Sequence, residues 1–387
     1  MSTRNAWSFK LSALLVITSI LLTGCQAFGE SKIKEQIQST LNDYISALKD
    51  NDKTLYMSTI DQGNQTIKDL FSITFDELES SGYPQSVKLG ITVTDVEQKG
   101  DNLVLARVTR DRDGAPAAWF FRNVDGKWVI SEPTFNESGE PQSTTSGNFT
   151  FTTYPIADDV NEKIIALMPK AVEHVRQDLG MVPDVKVKVT IYPFTRLTPL
   201  GVAWLSTFQI DTNDNGDNNI YIVSPESPNF GFYDPQAGWE PDYEIMLARE
   251  YSRVAYVHSF GNPGRSADWF FEGLAEYIAG FNQMPDVIAA VESNNIIPII
   301  DTSSSYKKVD LAHFANLENW SLAYGFSESL VTFIVEKYGG LESFWALARS
   351  YDETGDIQTA IQNTLGVSYD EFDASWRMWL KEDYIKR

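Results

Sequence analysis

One cysteine, Cys25, in 387 residues excludes any intrachain disulfide. Histidine is nearly as scarce, with three copies, so chemistry that needs several imidazoles has few candidates: His174, His258 and His313. Basic residues are outnumbered, 31 against 53 acidic ones, for a net charge of −22. That balance excludes nucleic acid and a bare anionic bilayer as binding partners, because both are held by basic patches. Long apolar runs are missing as well. The longest, Leu11 to Leu22, falls short of the roughly 20 residues that span a bilayer. Aromatic residues are not scarce: 13% aromatic and 43% hydrophobic content fits a folded protein rather than a disordered one.

Residues 1–24 carry Arg4 and Lys10 and no acid ahead of that apolar run, then close on Leu22-Thr23-Gly24-Cys25. This pattern reads as a secretory signal peptide ending in a lipobox. A short transmembrane anchor is the alternative. Cys25 stands at the position that resembles the lipid-attachment residue of bacterial lipoproteins, which implies a lipid-anchored, extracytoplasmic protein at the cell membrane. The leader removes two basic residues and no acid, so the remainder is more acidic still.

The rest is long enough for two domains. Ile33, Ile37, Leu41, Tyr44, Ile45 and Leu48 recur at helical spacing, and a second short helix is expected over Thr54 to Ile60. Alternation then predicts strands over Val87 to Val93, Leu103 to Val108, Ala117 to Phe121 and Lys127 to Ile130, with Asp125-Gly126 as a hairpin turn. The segments Tyr44 to Asp52 and Asp125 to Ile130 resemble the nuclear transport factor 2-like family of small α+β domains. The resemblance covers residues 31–132 within a first domain of 25–132. Residues 133–148, rich in Ser, Thr, Gly, Pro and Glu, read as a linker.

The second domain, 149–387, opens with an amphipathic helix from Val160 to Leu179. Strands follow at Val185 to Tyr192, Val202 to Ile210 and Asn219 to Val223, then helices at Asp242 to Ser259 and Asp268 to Ile278. The last third reads as an all-helical bundle. The fold class is α+β: a helix-plus-curled-antiparallel-sheet domain followed by a mixed sheet, two central helices and a helical bundle.

Ala248-Arg249-Glu250-Tyr251-Ser252-Arg253-Val254 precedes Trp269-Phe270-Phe271-Glu272-Gly273-Leu274-Ala275-Glu276-Tyr277, with eighteen residues between Arg253 and Glu272. With the later segments Ala323 to Ser327, Tyr338 to Leu341 and Leu365 to Phe372, this region resembles the peptidase MA-like (gluzincin) family. The resemblance implies a general base at Glu250, a carboxylate metal ligand at Glu272 and an oxyanion-steadying tyrosine at Tyr324. The family's two zinc-binding histidines are replaced by Arg249 and Arg253. A guanidinium offers donors only and stays charged, so neither can ligate zinc. Without zinc, no water is brought to a pKa of about 7, and the general base has nothing to activate.

No cofactor is therefore expected, and the domain reads as a non-catalytic binding or scaffolding module. The rival is an active hydrolase, using zinc through an unexpected site or Glu250 and Glu272 as a carboxylate pair. Two guanidiniums carry the charge of zinc with two neutral imidazoles, which suggests that Arg249 and Arg253 pair with Glu250, Glu272 or Glu276. The alternative places both arginines on a solvated helix face.

Asp211, Asn213, Asn215, Gly216 and Asp217 begin like a calcium-binding loop, but Ile222 stands where a bidentate glutamate belongs. Weak calcium binding and a plain Asn-Gly turn between strands both remain open. The aromatics Trp204, Phe208, Phe230, Phe232, Tyr233 and Trp239 are core residues or the lining of a cleft for peptide, protein or glycan.

Overall fold

The computed structural model describes residues 29–81, 90–111, 116–180, 182–193, 208–212, 218–225, 239–260, 267–280, 285–300, 309–313, 317 and 319–386. Cys25 and the expected signal peptide, residues 1–24, lie outside them. So do residues 213–217 of the acidic loop, the expected strand positions 87–89 and 202–207, and Trp204, Phe230, Phe232 and Tyr233. No described helix is long and apolar enough to cross a membrane.

The first half begins with helices α1 (29–50), α2 (Lys53–Ser58) and α3 (Gln65–Ser81). They pack on an antiparallel meander of β1 (Ile91–Gly100), β2 (Leu103–Arg110), β3 (Pro116–Val124) and β4 (Lys127–Ile130), in the order β1-β2-β3-β4. Register shifts between Val93 and Asp95 and between Gln98 and Gly100 bend the β1–β2 pair, as bulges do. The β3–β4 turn is the expected one: Asp125 and Gly126 both take positive φ, 52° and 87°. Both are left-handed, as a two-residue hairpin turn requires. Ile37, Leu41, Tyr44, Tyr56, Phe71 and Phe75 bury against Val93, Val104, Ala106, Val108, Trp119, Phe121 and Ile130.

Helix α3 goes beyond the sequence expectation, which ended the helices at Ile60. Thr66, Ile67, Ile73 and Thr74 are β-branched and lower the local helix preference. Tertiary burial of Ile67, Leu70, Phe71 and Phe75 on one face overrides that preference, and the Asn64 side chain accepts from the Ile67 amide at 3.3 Å.

The second half has a mixed sheet of β5 (Gln142–Ser146), β6 (Phe149–Thr153), β7 (Val187–Tyr192), β8 (Phe208–Thr212) and β9 (Asn218–Val223), in the order β5-β6-β7-β9-β8. Neighbours β6, β7 and β9 run parallel, while both edge strands are antiparallel to their neighbours. Residues 133–148, read from sequence as a linker, therefore contain a strand. Every residue of β5 is exposed, so it lacks the apolar alternation by which strands are recognised.

Among the described residues, eight α-helices complete this half: α4 (Asp158–Leu179), α5 (Glu240–Phe260), α6 (Asp268–Ala279), α7 (Pro285–Glu292), α8 (Trp320–Lys337), α9 (Leu341–Thr354), α10 (Ile357–Leu365) and α11 (Tyr369–Glu382). One sheet face, through Phe151, Val187, Val189, Ile191, Ile220 and Ile222, shares a core with α4 and α5. That core runs on into α6, α8, α9 and α11, so α5 is buried between the sheet and the bundle. Its residues 250–256 are all buried. The Tyr243 hydroxyl donates to the Val223 carbonyl at 2.6 Å and pins the start of α5 to β9.

Candidate functional site

A helix buried on every side is normally apolar throughout, yet the middle of α5 carries Arg249, Glu250 and Arg253. Helical spacing sets all three near α6, which supplies Glu272 and Glu276 one turn apart. An unpaired charge at such depth is expensive. Each guanidinium is therefore paired.

Arg249 donates from Nη1 to Glu250 Oε1 at 2.8 Å and from Nε to Glu276 Oε1 at 2.8 Å, with a further bond from Nη2 to the same Glu276 oxygen. Arg253 donates from Nη1 to both oxygens of Glu250, at 2.9 and 2.8 Å, and from Nη2 to Glu272 Oε2. Glu250 is 0% exposed and Arg253 6%. At 18%, the Glu272 side chain is the most open of the five. Two aromatic rings flank the cluster: the Arg249 guanidinium lies 5.6 Å from the centre of the Tyr324 ring on α8, and that of Arg253 5.5 Å from Phe271. The pairing expected for the two arginines is present, and the alternative of a solvated helix face is not.

Electrostatics follow from the count of three carboxylates to two guanidiniums. Burial disfavours the charge on Arg253, but Glu250, Glu272 and Glu276 outweigh it and raise its pKa above the ordinary arginine value. For Arg249, burial and then Arg253 oppose the charge, and Glu250 and Glu276 again carry the pKa upward. Burial raises the Glu272 carboxyl above its ordinary value against the pull of Arg253 and Arg249. Tyr324 is pushed up to about 12, by burial first and the Glu272 charge second, so it stays a neutral phenol under physiological conditions.

A divalent metal does not fit this set of residues. Both Glu250 oxygens, Glu272 Oε2 and Glu276 Oε1 already accept from guanidiniums. A dication among them would face two permanent cations and no nitrogen donor with a free lone pair. The histidines have partners elsewhere. His258 Nε2 is 3.1 Å from Asn218 Nδ2, His174 Nε2 is 3.3 Å from Asp178, and His313 Nδ1 is 2.7 Å from Asp310. Among the described residues, no three His, Cys, Asp or Glu side chains are grouped so as to hold a metal ion.

Glu250 is sealed from solvent with both oxygens occupied, so it has no access to a water it could deprotonate. Of the remaining candidates, Asp211 sits on β8 paired with Asn219, and Asn213, Asn215 and Asp217 are outside the described residues. Trp239 packs edge-on against Tyr243 at 4.9 Å, beneath the start of α5.

Sequence reasoning missed how α6 meets α8. A β-carbon on Gly273 would lie 2.7 Å from the Ser327 carbonyl carbon, so the two backbones touch where only glycine allows it. A glycine between Glu272 and Leu274 in a helical stretch was the available signal. No family model matches the chain, and no curated protein matches it either.

Proposed function

We propose that this chain is a lipid-anchored extracytoplasmic protein whose second half has a gluzincin-like, peptidase MA-like arrangement and has given up catalysis. It acts as a binding or scaffolding module at the cell envelope, for a peptide, protein or glycan. The first half is assigned a nuclear transport factor 2-like fold. The observation that supports the non-catalytic reading is the fate of Glu250: the residue in the general-base position is fully buried and bonded to the two arginines that replace zinc-binding histidines. The same burial counts against Glu250 and Glu272 serving as a hydrolytic carboxylate pair, because such a pair must reach substrate and water.

Two experiments test the two parts. Replacing both arginines, Arg249→His with Arg253→His, restores i and i+4 imidazoles ahead of Glu272 and is expected to create a site for one zinc per chain. If the folded double variant takes up no zinc, the gluzincin-like assignment fails. For the anchor, the unsubstituted protein is expected in the detergent phase of a Triton X-114 separation of cell extract, and Cys25→Ser in the aqueous phase. Aqueous partitioning of the unsubstituted protein would remove the lipid from the proposal.

A further inference from the structure

The segment joining the two halves is polar, yet it is tied down at several points. On β3, Ala118 and Phe120 face the second half while Trp119 and Phe121 face the helices of the first, and Arg122 continues the outward row. Arg122 grips the connector. Its Nη1 and Nη2 donate to the two oxygens of Glu137 at 2.9 and 2.8 Å, Nη2 also donates to the Glu132 carbonyl at 3.0 Å, and Nε lies 3.5 Å from Asp61. Asp61 in turn accepts from Ser131 Oγ at 2.6 Å, and Glu137 accepts from the amide and hydroxyl of Thr134 at 2.6 and 2.7 Å.

At the far end, fully buried Ser138 accepts from the Ile156 amide at 3.4 Å, and a β-carbon on Gly139 would lie 3.1 Å from Pro155. Behind this connector, Leu103, Leu105, Ala118 and Phe120 share an apolar cluster with Tyr154, Ile156, Ala157 and Tyr192. Tyr154, Tyr192 and Tyr221 stack in a row at 6.1 and 6.2 Å, with Tyr154 and Tyr192 buried in that cluster and Tyr221 packed against it.

We infer that Arg122 is an interdomain clamp that makes the connector a latch and holds the two halves as one body. Apolar contact is non-directional and supplies adhesion. The two-pronged guanidinium–carboxylate pair supplies orientation, which a lysine in the same place could not. This holds whether or not the chain is anchored or catalytic.

The test compares the full chain with Arg122→Met and Glu137→Gln by small-angle X-ray scattering and by chymotrypsin cleavage at Phe135. Arg122→Met is expected to raise the radius of gyration and to speed cleavage on the order of tenfold, with circular dichroism unchanged. Glu137→Gln keeps the shape of the side chain and removes its charge, and is expected to move both readouts in the same direction by less. Should Arg122→Met fail to fold, Glu137→Gln decides alone. An unchanged radius and cleavage rate in the folded variants overturns the clamp.

Discussion

Arg253→Met is expected to destabilise the second half by about 3–5 kcal/mol, the usual consequence of removing one partner from a buried ion pair. The reason lies in what remains. Glu250, fully buried, loses the group that bonds both its oxygens, and Glu272 loses its partner at Oε2. For a unit of this size the loss is a fall in melting temperature on the order of 10 °C, measurable by calorimetry.

Replacing the whole cluster separates this cost from that of lost packing. A variant carrying Met or Leu at Arg249, Glu250, Arg253, Glu272 and Glu276 together is expected to recover most of the stability, because no charge is left stranded. If Arg253→Met melts with the unsubstituted protein, the guanidinium is not paired as described.

Gly273→Ala is expected to destabilise by about 1–3 kcal/mol, as overpacking does. In an open helix the same change stabilises by roughly 0.5–1 kcal/mol, so the sign is diagnostic. The obstacle is the Ser327 backbone rather than the end of a flexible side chain, and it cannot swing aside. Relief requires α6 to move away from α8, which carries Glu272 and Glu276 away from the Tyr324 side of the cluster. Chemical denaturation gives the magnitude. A stabilised alanine variant would mean that the helices are not in backbone contact there.

Much of this is legible in the amino-acid sequence. The charge balance of Arg249 and Arg253 against Glu250, Glu272 and Glu276 pointed to their pairing, with a solvated helix face as the alternative, and burial of α5 decides between the two. The α+β class followed from the change of period between helical and alternating segments.

The misses share a cause. Strand β5 is a polar edge strand whose order comes from hydrogen bonds to β6, and composition does not encode that. Helix α3 needed tertiary burial to overcome its β-branched residues. Arg122 and Glu137 are fifteen residues apart, one on a strand and one in a turn, and no periodicity links them. Gly273 was visible as a letter, but its meaning depends on Ser327, which belongs to another helix.

The most direct test of the ion cluster is the transition-metal content of the full-length protein, extracted in detergent and equilibrated with zinc, with cleavage of a peptide library followed in parallel. The expected result is no stoichiometric metal and no cleavage that a chelator stops. One firmly held zinc per chain, with peptide hydrolysis abolished by chelation, would contradict the ion cluster as described and the non-catalytic reading.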